Sequence, residues 1–115
     1  MDKRLAALSR IAALKYDRAV HELGHLSMAR QKLDAKLQLA QRGKHELITA
    51  VVAEGCEIAV RERLAEAMEA RVLQLNREIA ELRAREEAHI PSVKKAFGQK
   101  NAIDALIKKS SVNKR

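Results

Sequence analysis

The positions 16, 19, 23, 26, 30, 33, 37, 40, 44, 47 and 51 advance by alternating steps of three and four. They carry Tyr16, Ala19, Leu23, Leu26, Arg30, Leu33, Leu37, Ala40, Lys44, Leu47 and Val51, so nine of eleven are apolar or aromatic. That spacing is a heptad seam, and it excludes a period-two strand reading over the same residues. Leu5, Leu8 and Ala12 extend the stripe toward the N-terminus. A second run, Ile58, Arg61, Ala65, Met68, Val72, Leu75, Ile79 and Leu82, is broken only by Arg61. Glu62, Arg63, Glu66, Glu69, Arg71 and Arg77 decorate its other faces, as water-facing sides of a coiled coil do.

Composition agrees with that period. The hydrophobic share is 47%, yet Tyr16 and Phe97 are its only aromatic residues, so Ala, Leu, Ile and Val must build the core. Such chains form long helices or coiled coils. The expected fold is all-α: a long antiparallel two-helix coiled-coil hairpin spanning residues 1–109, with a short helical extension after Pro91. Gly43 and Gly55 are the candidate turns. Gly55 is preferred, because it leaves about fifty residues on each side. A continuous helix paired with a second chain is the alternative, since the seam passes from Val51 to Ile58 in seven residues without losing phase. Pro91 lacks an amide hydrogen and clashes with the preceding turn, so a stop or kink is expected near His89–Ile90. Ser92 then caps short helices over Val93–Phe97 and, beyond Gly98, Ala102–Lys109. Ser110–Arg115 reads as a flexible basic tail.

No apolar run approaches the ~18 residues of a membrane span. Met1-Asp2-Lys3-Arg4 leads into an amphipathic stretch rather than a signal-peptide core. Lys3, Arg4, Arg10 and Lys15 beside Leu5, Leu8 and Ile11 resemble a membrane-surface helix, without the Trp or Phe such helices often use. Cys56 is the only cysteine, which excludes an internal disulfide and fits a reducing, cytoplasmic setting. Its place beside Gly55 is that of a small residue tolerated at a turn.

One motif points to an enzyme. His21-Glu22-Leu23-Gly24-His25 matches H-E-x-x-H, in which two histidines one turn apart hold Zn²⁺ and the glutamate serves as general base. The extended form of that motif wants Gly at 28 and His at 31, where this chain has Met28 and Gln31. Leu23 and Leu26 belong to the seam, so His21 and His25 are expected on the exposed side. His45 and His89 are read as solvated helix residues. No phosphate-binding glycine loop and no zinc-finger spacing occurs. No catalytic residue, cofactor or metal ligand is therefore assigned. Zinc-dependent peptidase is the alternative reading.

The net charge is +8, and it is uneven. Residues 92–115 hold seven basic residues and one acidic, Asp104, whereas residues 51–91 hold six basic and nine acidic. A basic end meets nucleic acid, an anionic membrane or an acidic protein. Nucleic acid is the weaker expectation, because aromatics for base stacking are nearly absent and the cations form no groove-reading stripe. The candidate partner-binding residues are Lys94, Lys95, Lys100, Lys108 and Lys109.

Gln99-Lys100-Asn101-Ala102-Ile103-Asp104-Ala105 resembles the E-Q-K-x-x-D-E-x-A ending of the flagellar and type III secretion stalk family (FliJ-like and YscO-like proteins). Gly98 replaces the first Glu, one extra residue separates Lys100 from Asp104, and Ala105 replaces the second acid. The small, basic, two-helix pattern is also similar. The resemblance implies a stiff hairpin at a flagellar or type III export ATPase, with the ATPase, the export gate and export chaperones as partners and no catalysis of its own. It implies a cytoplasmic location, peripheral at the membrane-associated export apparatus. A homodimer is a further expectation.

Overall fold

A computed structural model describes residues 3–113. Helix α1 runs over Lys3–Ala53 and helix α2 over Ile58–Asn113. The chain is an antiparallel two-helix coiled-coil hairpin, with its turn at Gly55 rather than Gly43, which lies inside α1.

The turn explains itself through backbone hydrogen bonds. Gly55 has φ 72°, in the left-handed region. Its amide donates to the Val52 carbonyl at 3.2 Å, and the Cys56 amide donates to the Val51 carbonyl at 3.3 Å. These two bonds form a Schellman motif, which satisfies carbonyls that the end of α1 would leave open. Glu57 starts α2 by accepting from the amides of Val60 and Arg61, both at 3.1 Å. Half-buried Cys56 follows Gly55 directly. A Cβ on Gly55 would meet nothing within 4 Å, so the requirement is conformational rather than steric. Gly55→Ala is therefore expected to cost about 1–2 kcal/mol, read as a lower urea midpoint with an unchanged m-value. A neutral result would show that the turn relaxes out of the left-handed region.

Both helices divide between two compact units. Residues 1–26 and 85–115 form a terminal unit, and residues 27–84 form a turn unit. In the terminal unit the buried apolar residues are Ala12 and Ala96; in the turn unit they are Leu75 and Ile79. Lys44 Nζ lies 3.3 Å from Glu69 Oε1 and marks the antiparallel register of the turn unit. In the terminal unit His89 Nε2 lies 3.0 Å from the Ala19 carbonyl oxygen and donates to it.

The α1 seam from Tyr16 to Val51 is covered at every position except Leu47, which is 40% exposed. Nearer the N-terminus the stripe runs through Leu5, Ser9 and Ala12, and the expected Leu8 stands outside it at 49% exposure. Ile58 is likewise exposed, at 65%, because it opens α2 beside the turn.

Pro91 does not end its helix. The segment after it is helical as expected, but continuous with the segment before it, and Ser92 and Gly98 lie within α2 instead of capping or breaking it. Residues 110–113 also belong to α2 rather than to a frayed tail; Lys114 and Arg115 lie outside the described residues. The reason is in the heptad phase. Beyond Leu82 the covered positions continue as Glu86, His89, Val93, Ala96, Lys100, Ile103, Ile107 and Ser110. Steps of four and three persist through the proline, while Pro91 itself faces water. Seam packing on one face outweighs the bond lost on the other, because the Glu87 carbonyl left without its helical donor lies on an exposed residue where water can replace it.

Candidate partner-binding surface

The terminal unit holds thirteen Lys and Arg and six Asp and Glu, and so carries +7 of the chain's +8. All five expected lysines fall in it. Lys94, Lys95, Lys108 and Lys109 are exposed. Lys100 is not a free surface cation. It occupies a seam position, half-buried, with Nζ 5.1 Å from the centroid of the Tyr16 ring. Tyr16 and Phe97 stack beside it at 5.6 Å with a 46° tilt, so both aromatic residues and one cation form a single cluster in this unit.

Heptad geometry sorts the remaining groups. In an antiparallel pair, the residues that precede seam positions line one flank on both helices. On α1 these are Leu8, Ile11, Lys15, Arg18 and Glu22; on α2 they include Ser92, Lys95, Gln99 and Ala102. Two clefts open along that flank. One, of about 350 Å³, is walled by Leu8, Ile11, Ala12, Ala102 and Ile103, with Lys15 and Gln99 at its end. The other, of about 320 Å³, shares Lys15 and Gln99 and is lined further by Arg18, Glu22, His89 and Lys95. The sequence hides this flank as long as Leu8 is placed in the seam and the α2 seam is followed only to Leu82.

The H-E-x-x-H residues separate in space by role. His21 and His25 are exposed, their Nε2 atoms 3.0 Å apart and their rings edge to face. One nitrogen donates and the other accepts. Glu22 turns to other partners. Its Oε1 accepts from Arg18 Nε at 3.3 Å, and its Oε2 lies 3.4 Å from His89 Nε2. Among the described residues no group of three or more His, Cys, Asp or Glu is arranged to hold a metal ion. His89 is thus a half-buried seam residue hydrogen-bonded to the Ala19 carbonyl with Glu22 close by, not the solvated side chain expected. No helix of the described residues is long and apolar enough to cross a membrane.

No family model matches this chain, and neither a curated protein nor a solved structure matches it.

Proposed function

We propose that this chain is a non-enzymatic coiled-coil interaction protein, of the stalk or chaperone-escort kind that serves a flagellar or type III export ATPase in the cytoplasm. The observation that carries the reading is the gathering of +7 of the net charge into the terminal unit. An acidic protein surface is a partner such a field attracts, because complementary charge speeds encounter and rejects like-charged competitors. The resemblance of residues 99–105 to the export-stalk ending supplies the candidate partners: the export ATPase, the export gate and their chaperones.

The test is co-purification from cells that make an export apparatus. Lys94, Lys95, Lys108 and Lys109 are each replaced by Glu, and Lys100 is left in place because it packs on Tyr16. The wild-type chain should retain an export component. The four-fold reversal should weaken that binding by about tenfold or more, with helix content unchanged, since each exposed charge contact is worth up to about 1 kcal/mol. Failure to recover any export component, or recovery that survives the reversal, would sink the proposal.

A further inference from the structure

We propose that the cleft-bearing flank of the terminal unit receives a single α-helix from a partner protein, apolar at one end and acidic about two turns along. This rests on the reading of the chain as an interaction protein and adds where, and to what chemistry, it binds.

Two helices alone leave this unit short of cover. Each hides one narrow stripe, and Ala12 and Ala96, its buried apolar residues, are both small. Apolar side chains stand uncovered immediately beside the stripe. Leu8 and Ile11 are each 49% exposed and Leu106 is 54% exposed. All three precede seam positions (Ser9, Ala12 and Ile107), so they share the flank on which the 350 Å³ cleft opens. A furrow between two antiparallel helices, edged by aliphatic residues, is the shape into which a third amphipathic helix packs.

Charge selects the occupant. Seven residues beyond Leu8 and Ile11 on the same flank of α1 stand Lys15 and Arg18, and Lys95 faces them from α2 across the 320 Å³ cleft. Arg18 is 84% exposed, and its bond to Glu22 uses only Nε. Seven helical residues span about 10.5 Å. A bound helix would therefore need its apolar anchor and its carboxylates about seven residues apart. The opposite flank of the unit, made of the residues that follow seam positions, also shows apolar side chains: Val20, Ile90 and Phe97. Its cations Arg10, Lys94 and Lys108 are matched in number by Asp17, Glu87 and Asp104, so its formal charges cancel. An acidic helix therefore fits the Leu8–Arg18 flank.

The probe is a fluorescent 21-residue helical peptide with Leu at heptad core positions in its first half and Glu at the corresponding positions in its second. Its twin carries Lys in place of each Glu. Against the full chain, anisotropy should show the Glu peptide binding at least about tenfold tighter than the twin. Lys15→Glu with Arg18→Glu should remove that preference, and Leu8→Ser with Ile11→Ser should weaken both the peptide and the native partner about tenfold. Leu73→Ser, at a comparably exposed leucine in the turn unit, should change neither. Equal binding of the two peptides, or indifference to the flank substitutions, overturns the proposal. So does sedimentation showing a dimer that Ile11→Ser dissociates, since the occupant is then a second copy. Loss of export components on lysine reversal but not on Leu8→Ser with Ile11→Ser would defeat this inference and leave the proposed function standing. Peptide binding with no export component recovered would do the reverse.

Discussion

Leu75→Asp is expected to cost the chain about 4 kcal/mol or more, a large share of its stability, and to lower the urea midpoint accordingly. Leu75 is 1% exposed, the most completely covered large side chain among the described residues. Truncating a leucine in such a place costs about 2–5 kcal/mol through lost transfer energy and the cavity left behind. Aspartate adds a carboxylate with no partner in an apolar seam, so it must be desolvated or hold its proton. A chain of this size has about 5–15 kcal/mol of total stability to lose. The matched control is Leu73→Asp, two residues away on the same helix and 52% exposed. It should cost below about 1 kcal/mol, mostly from helix propensity. Helical circular dichroism against urea reads both. Equal losses for the two would mean that composition holds the hairpin together and the seam does not. Glu69→Ala tests the other extreme: its contact to Lys44 lies on a carboxylate 65% exposed. Such a contact is worth less than about 1 kcal/mol.

The hairpin and its turn were legible in the sequence for reasons that Leu75 and Gly55 illustrate. A seam residue is defined by what lies three and four positions away, which a single sequence displays. A glycine at a helix end advertises the left-handed conformation that only it adopts without strain. The length of α2 was not legible. Pro91 is a strong local signal, and reading it locally hid the fact that Glu86, His89 and Lys100 continue the seam as polar members. Two of them find partners there: His89 bonds to the Ala19 carbonyl, and Lys100 lies over the Tyr16 ring. The candidate site was half legible. Lys95 and the clustered charge could be read directly, whereas the Leu8–Arg18 flank depends on the phase of the seam, and moving Leu8 from seam to flank changes which face is open.

That reading of Pro91 makes its own prediction: Pro91→Ala should stabilise the chain by about 1–2 kcal/mol. Proline inside a helix is about 3 kcal/mol less favourable than alanine, through the missing N–H and the clash with the carbonyl four residues earlier. Two effects reduce the gain. The Glu87 and Pro91 positions are exposed, so water has access to the orphan carbonyl's side of the helix. Proline also restricts the unfolded chain, which offsets about 0.4–1 kcal/mol of its cost. In a unit of this size, about 1–2 kcal/mol appears as a rise of several degrees in the melting temperature. Native-state hydrogen exchange locates it. The amide gained at position 91 should be protected about as well as those of Val93 and Ala96, because it completes an unbroken run of helical bonds along a seam already packed on both sides of it. An unchanged or lower melting temperature would carry a different meaning. The backbone geometry that proline imposes would then be part of how Val93 and Ala96 reach the seam, and replacing it would cost the terminal unit more packing than the restored bond returns.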